Sequence, residues 1–512
     1  MAVNKGKIIL NLKNHFSIEP AVFYPTAGLA LGFVVSVLYI GAPAAEFFSS
    51  FQKVMSTHLG WFITIAINVY LLMVLYFAFG KFGNVKLGGS EAKPEFSKFS
   101  WVAMLFSAGM GIGLLYFSVA EPMFHYLNPI DTNFNEFQKI ESAMNTTFFH
   151  YGFHVWGIYC LVALSLAYFC FNKNKPLSLS STIEDFLPSK FLFLKKWIDA
   201  LASLATLFGL ATSLGFGANQ FCSGLESLFG IQNTVTSQVS SIIIITSIAT
   251  ISIITGLKKG VRILSNINIL TASALFLSVL VLAPSVKLLS FFVQSTGTYL
   301  QNFIAIATET GSFSDSAGFF KSWSLFYWAW WISWSPFVGT FIARISRGRT
   351  IKEFVIYVLF VPSLTTFLWM SVFGGFAFEL QTNGVVDMAS VVAEDSSKAL
   401  FVVLENLPAS QFLSFTSICL VATFFITSSD SGSLVVDYMT SGGKLDTPVG
   451  QKIFWASVEG LIAIALIIGG GLSALQAASI STGFPFALFL LIMGICLLKT
   501  LKRDSKKTSV YS

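Results

Sequence analysis

Three aromatic residues close together, Tyr151, Trp156 and Tyr159, could hold a cation. At 100° per residue along a helix they fall at about 0°, 140° and 80°, which is one face. The π-face of a Trp or Tyr ring attracts positive charge by about 0.5–2 kcal/mol, and cages of such rings suit quaternary ammonium groups. The alternative use of such a face is packing between helices. A second concentration lies at Trp323, Trp328, Trp330, Trp331 and Trp334, five of the 11 tryptophans of the chain. Interfacial belts explain one or two Trp at the end of a membrane span, such as Trp323, but not Trp334 followed by Ser335-Pro336. Trp331 could complete a box with the first group, with Trp330 and Trp334 beside it. Acidic residues are nearly absent around these rings, so a cation held there fits a solute that carries its own carboxylate, a zwitterion.

Two further stretches offer oxygen and backbone ligands. The run Phe424-Phe425-Ile426-Thr427-Ser428-Ser429-Asp430-Ser431 sets adjacent hydroxyls in an apolar context, which suits Na+. Thr and Ser can instead bond back to the carbonyls of their own helix. Asp430 is expected near a helix end, solvated or capping. The run Ser107-Ala108-Gly109-Met110-Gly111-Ile112-Gly113 has three alternate glycines, a pattern for local unwinding that exposes carbonyls and amides to a ligand. Close packing of helices through small residues is the other explanation. His150 and His154, four apart, have metal-like spacing without an evident third ligand, and an interfacial pair is expected. Glu121, before Pro122, reads as structural or vestibular. Cys160, Cys170, Cys222, Cys419 and Cys496 form no ligand pattern and read as small apolar residues.

These residues need a scaffold, and the composition says which. Of 512 residues 54% are hydrophobic and 11% charged, against about 25% charged in soluble proteins. That excludes a soluble enzyme, a nucleic-acid binder, a disordered regulator and a disulfide scaffold. A spanning helix needs about 20 apolar residues. Twelve stretches qualify: 21–43, 59–80, 99–120, 147–171, 197–222, 236–256, 265–285, 323–345, 354–378, 408–429, 451–471 and 473–498. The expected fold is therefore an all-α membrane protein with twelve transmembrane helices. With the N-terminus in the cytoplasm, only Lys53, Lys139, Lys287, Lys321 and Lys398 of the 31 Lys and Arg fall outside, as the positive-inside rule requires. Both termini are expected inside. The first stretch follows a basic, polar leader without a small-residue cleavage site and reads as a retained span. Arg344, Arg347 and Arg349 read as cytoplasmic anchors, with lipid contact secondary.

The glycine run in segment 3 and Pro336 with Gly339 in segment 8 predict two kinked or broken helices, five spans apart. That placement suggests an inverted-repeat transporter, in which discontinuous helices flank a midplane site. The expected organisation is a tail at 1–20 and a transporter domain at 21–498. Within it lie extra helices at 21–80, repeat one at 99–285, an outer amphipathic segment at 286–322 and repeat two at 323–498, before a short basic tail at 499–512.

Gly109-Met110-Gly111-Ile112-Gly113 with Glu121-Pro122, the string from Trp328-Ala329-Trp330-Trp331-Ile332-Ser333-Trp334-Ser335-Pro336-Phe337 to Arg344-Ile345-Ser346-Arg347-Gly348-Arg349, and Thr427-Ser428-Ser429-Asp430-Ser431 together resemble the betaine/carnitine/choline transporter family across essentially all spans. The resemblance implies a trimeric carrier of the bacterial inner membrane, with a leucine-transporter-type five-plus-five core moving trimethylammonium solutes by alternating access. It places Trp156, Tyr159 and Trp331 in the aromatic box and Trp334 at a neighbouring site. The family commonly has Trp where this chain has Tyr151. It also implies a Na+ site from the carbonyls of Ser107 and Met110 with Phe424, Thr427 and Ser428. A second sodium site would need hydroxyls at 206 and 210, where this chain has Thr206 and Leu210. Gly113 is similar to betaine carriers, whereas choline-type, proton-coupled members can have Asp there. The short C-terminal tail lacks the long charged extension of osmosensing members, which makes constitutive or nutrient uptake plausible.

The expectation is thus a Na+-coupled importer of glycine betaine or a related zwitterion, with lipid and like subunits as its other partners, no resident cofactor and no nucleic acid. A proton-coupled choline carrier and a sodium-independent carnitine/betaine exchanger are the alternatives within the class. A channel or a sensor for quaternary amines is the alternative outside it. No nucleophile, base or metal constellation at membrane depth suggests an enzyme.

Overall fold

The computed structural model describes residues 16–109, 111–254, 258–312, 317–444 and 446–510. Among them the chain is helical, and the only β pairing is an isolated bridge between Lys86 and Thr350. The helices that matter below are α1 (Pro20–Ile40), α2 (Ala42–Phe79), α3 (Lys98–Gly109), α4 (Ile112–Leu127), α5 (Glu136–Tyr151), α6 (Phe153–Lys173), α7 (Leu194–Phe229), α8 (Val235–Ile254), α9 (Lys258–Leu282), α10 (Ser285–Gln301), α11 (Phe303–Thr308), α12 (Leu325–Ile345), α13 (Ile351–Thr382), α14 (Met388–Asp395), α15 (Ala399–Glu405) and α16 (Ser410–Thr440). A last helical stretch, Val449–Val510, is divided at Gly470 and Gly471. Gly471 has a φ of 59°, a conformation glycine adopts without cost. We label its parts α17 (Val449–Gly471) and α18 (Gln476–Lys506).

Ten stretches among the described residues are helical, long and apolar enough to cross a membrane. The two expected spans outside that set are segments 3 and 8. Segment 3 is divided into α3 and α4, of 12 and 16 residues, each shorter than the roughly 20 that a bilayer requires. Segment 8 is α12, whose 21 residues suffice in length but carry Trp, Ser and Pro in place of aliphatic side chains.

Burial sorts the helices into a centre and a rim. The most apolar windows of the α5–α6 stretch and of the stretch containing α7 are 89% and 94% buried, against 28% and 22% for α8 and α9. Ile243, Ile244, Leu270, Leu277 and Val281 face outward, as side chains that meet lipid should. At the centre α12 packs against α6, α7 and the α17–α18 pair. α10 packs against α13 and α5, and Lys287 pairs with Glu379 of α13. The sequence placed an amphipathic segment there.

The basic cluster after α12 is tied into the protein. Arg349 is buried; it donates to the Phe96 carbonyl at 2.7 Å and to Glu353 at 3.1 Å, and lies 4.6 Å from the Trp101 ring. Arg347 is half-exposed, 3.8 Å from Glu95. Backbone bonds between Leu87 and both Gly348 and Arg349 fasten the segment between α2 and α3 to this turn. Arg349 is thus a structural clasp and not a lipid anchor.

Candidate functional site

The glycine run interrupts its span as expected. α3 ends at Gly109, and Gly111 is extended at φ −157° and ψ −173°. Its carbonyl accepts from the Leu114 amide at 3.1 Å to start α4. Met110 lies outside the described residues. A second interruption, at Gly152, was not expected. A Cβ there would stand 2.5 Å from the Phe148 carbonyl and 2.7 Å from the Phe367 ring, which stacks on Phe148 at 4.1 Å. The close approach of α13 therefore requires glycine. Tyr151 ends α5 while Trp156 and Tyr159 belong to α6, so the three rings do not share one continuous helix face.

The break expected at Pro336 is absent. α12 runs through it. Proline supplies no amide for the Ile332 carbonyl, which would be orphaned. The Ser335 hydroxyl donates to that carbonyl at 2.7 Å instead, and Thr340 donates to Pro336 at 2.6 Å. The irregularity of this segment lies earlier, in a π-helical turn at Phe320–Ser324.

Around the Gly111 interruption Tyr151, Trp156, Tyr159, Trp330, Trp331 and Trp334 line one cavity with Gly111 and Gly113. Trp156 and Tyr159 meet edge to face at 5.5 Å, Tyr159 and Trp331 at 6.4 Å, and Tyr151 and Trp331 at 5.4 Å. Such roughly perpendicular rings form the corner of a cage. Trp331 is fixed from behind: it stacks on Trp330 at 4.7 Å, and its indole N–H donates to the His150 carbonyl at 2.8 Å. Trp330 donates to Gly209 at 3.3 Å. Gly113 lies under it, where a Cβ would be 3.2 Å from the ring, whereas a Cβ on Gly111 would meet nothing within 4 Å. Two residues that line the cavity carry a buried donor with no partner among the described residues, Tyr159 at Oη and Trp334 at Nε1.

The Tyr151 hydroxyl lies 3.3 Å from both the Gly113 carbonyl and Tyr327 Oη. Tyr327 donates to Glu121 Oε2. Glu121 Oε1 is 2.7 Å from His150 Nδ1 and 3.1 Å from His125 Nε2, and all of these side chains are buried. The expected His150–His154 pair is therefore replaced: His150 joins Glu121 and His125, while His154 bonds Asn68 at 3.2 Å. Glu121 is a deep interior group, not a vestibular one. The sequence hid this because residues 121, 125 and 150 sit on α4 and α5, which only the fold brings together.

The hydroxyl run lies on α16. Thr427 donates to a carbonyl of its own helix, Thr423 at 3.0 Å or Phe424 at 3.1 Å, and accepts from Asn268 of α9 at 3.1 Å. Phe424 is buried and Ser428 half-buried. Ser107 lies on α3. Asp430 is buried, not solvated, with Oδ2 accepting from Ser252 at 3.0 Å. Thr206 bonds back to Ala202 at 2.9 Å. Leu210 presses on Gly432, where a Cβ would stand 2.3 Å from it, so position 210 serves packing between α7 and α16.

Leu114, Val155, Ser213 and Thr366 also line the cavity. Leu114 and Val155 flank residues the sequence singled out. Ser213 and Thr366 carried no signal, being single hydroxyls in ordinary spans.

The geometry defines a multi-pass membrane protein with an aromatic cavity beside a broken helix. The chain belongs to the betaine/carnitine/choline transporter family, whose pattern matches residues 21–506. It is 42% identical over 498 residues to a glycine betaine/proline/choline/ectoine transporter of Vibrio parahaemolyticus, covering 96% of this chain and 88% of the relative. A glycine betaine transporter of Bacillus subtilis is 41% identical over 461 residues, 90% of each chain. A glycine betaine transporter of Acinetobacter baylyi is 40% identical over 494 residues, 96% of this chain and 74% of the relative. The family is one of transporters, not enzymes.

Proposed function

We propose that this chain imports a trimethylammonium-type solute, glycine betaine or a related zwitterion, by Na+-coupled symport with alternating access. The observation that carries the reading is the cavity: rings at 5.4–6.4 Å around Trp331, fixed from behind, in a wall with two donors that have no partner among the described residues. The cationic head would sit among Tyr151, Trp156, Tyr159 and Trp331, where it needs no hydrogen bond. The carboxylate would take the Tyr159 hydroxyl and the Trp334 N–H, which have no other partner among the described residues. Relatives named for glycine betaine, proline, choline and ectoine support this substrate class.

The extended backbone at Gly111 borders the same cavity, as does Gly113 but not Gly109, which ends α3, and we propose that this interruption gives alternating access a hinge. Na+ would be held by carbonyls of Ser107, Met110 and Phe424 with the hydroxyls of Thr427 and Ser428. For that, the Thr427 hydroxyl turns its lone pairs from Asn268 to the ion. The architecture we propose is twelve spans with both termini cytoplasmic, repeats at 99–285 and 323–498 after two extra helices, and a homotrimer in a bacterial inner membrane. The break at Gly152 and the intact α12 mean that the two halves are not broken at matching points.

The test is uptake of radiolabelled glycine betaine into proteoliposomes, with an inward Na+ gradient against K+ of equal osmolarity. Accumulation driven by Na+ is the expected result. Uptake without Na+, or only in exchange for internal solute, contradicts the coupling.

A further inference from the structure

The cavity wall at Tyr151 is the end of a hydrogen-bond chain whose direction is fixed from its buried end. Glu121 is fully buried. His150 Nδ1 at 2.7 Å and His125 Nε2 at 3.1 Å both bear on Oε1, leaving Oε2 for the Tyr327 hydroxyl. These imidazoles and Tyr327 are the titratable groups that bond Glu121 among the described residues, contributed by α4, α5 and α12. His150 is itself held by Ser324 at 2.9 Å and stacks on Tyr327 at 4.6 Å. A phenol has one hydrogen to donate. Tyr327 commits its hydrogen to Glu121, so its oxygen can only accept. The hydrogen of Tyr151 then goes to Tyr327 Oη or to the Gly113 carbonyl, each 3.3 Å away. Both acceptors lie in the wall. What Tyr151 retains for a solute is a lone pair.

We propose that the Tyr151 hydroxyl is an acceptor subsite of the cavity, kept in that polarity by Glu121 acting through Tyr327. It takes the hydrogen-bond donor of a solute: the hydroxyl of a choline-type alcohol or the N–H of an imino acid or cyclic amidine. The inference rests on reading the cavity as a quaternary-ammonium site and deepens it. A carboxylate is turned toward Tyr159 and Trp334, and a hydroxyl toward Tyr151, so one cage serves zwitterion and alcohol in opposite orientations. Glu121 and Tyr327 are positioning residues and touch no solute.

The test is equilibrium binding of radiolabelled choline and glycine betaine to the purified full-length protein and three variants. The two solutes share one head group, so betaine reports the cage and choline the subsite. Tyr151→Phe keeps the ring and is expected to lower the choline-to-betaine affinity ratio about fivefold, the worth of one ordinary hydrogen bond. In Glu121→Gln the amide can donate to Tyr327, which then donates to Tyr151 and occupies the lone pair a solute would use, while the Tyr151 hydrogen stays on the Gly113 carbonyl. Choline should again fall about fivefold with betaine held. Tyr327→Phe leaves Tyr151 bonded to Gly113 and should shift the ratio less. An unchanged choline-to-betaine ratio in Tyr151→Phe overturns the inference. So does an equal loss of both solutes in Glu121→Gln, which would mark a packing role. If Glu121→Gln does not fold, Tyr151→Phe and Tyr327→Phe decide. A wild-type chain that binds neither solute refutes the cavity reading itself, and the subsite with it.

Discussion

The aromatic cavity and the hydroxyl run of α16 are two candidate binding regions prepared to different degrees. In the cavity the rings are already in place. Trp331 is held by a stack and a hydrogen bond at its back, Trp156 and Tyr159 stand perpendicular to one another, and the donors left over belong to residues of the cavity wall. On α16 the reverse holds, because Thr427 donates to its own helix and accepts from Asn268. The difference follows from what each ligand needs. A methylated cation has no hydrogen-bonding group, so packing alone can build its site, and a rigid cage loses little entropy on binding. A small hard ion needs several oxygens at once, and hydroxyls in a dry helix must have partners in its absence. A cage that stays formed, together with the proposed ion site that must be assembled, would be a natural basis for the proposed coupling.

That contrast can be broken at its strongest point first. Trp331→Ala removes the ring that faces both Tyr151 and Tyr159 and should raise the Kd for glycine betaine at least about tenfold, in line with about 0.5–2 kcal/mol for the ring and the loosening of its neighbours. Near-normal binding measured by calorimetry would leave the cage without support. Thr427→Ala with Ser428→Ala should raise the Na+ concentration for half-maximal uptake about tenfold, the loss of hydrogen-bond-strength contacts to a charge, with sodium-free betaine binding little changed. An unaltered sodium dependence in proteoliposomes would take these hydroxyls out of the ion site. Gly209→Ala should cost less, about fivefold in betaine affinity. Its Cβ would stand 2.6 Å from Trp334 Cδ1 and push that ring off its donor position. Ser335→Ala should have the smallest effect on binding, under about twofold, while leaving the Ile332 carbonyl unsatisfied. A lowered melting temperature, from a loss of about 1–3 kcal/mol, with affinity retained would separate scaffold from site.

Much of this was legible in the residues and some was not, for physical reasons. Apolar runs reveal spans because lipid demands them, and the three alternate glycines at 109, 111 and 113 revealed the unwound point. Pro336 produces no break because the Ser335 hydroxyl takes the carbonyl that the missing amide leaves, a side-chain contact the sequence does not show. Gly152 was silent, since a lone glycine becomes a break only when Phe367 packs on it from another helix. The cage came through because its rings cluster within α5–α6 and α12. The Glu121 network did not, because its members are ordinary until α4, α5 and α12 meet and bring His125, His150 and Tyr327 within hydrogen-bond distance of one carboxyl group.

The most direct test of the account removes the charge and keeps the shape. Competition against radiolabelled glycine betaine would compare unlabelled glycine betaine with 3,3-dimethylbutanoate, which has a neutral tert-butyl group in place of the trimethylammonium head. The account predicts that the neutral analogue competes at least about tenfold more weakly, because the rings attract the charge and not the methyl groups alone. Equal competition by the two would contradict it, and would make the cavity an apolar slot rather than a cation cage.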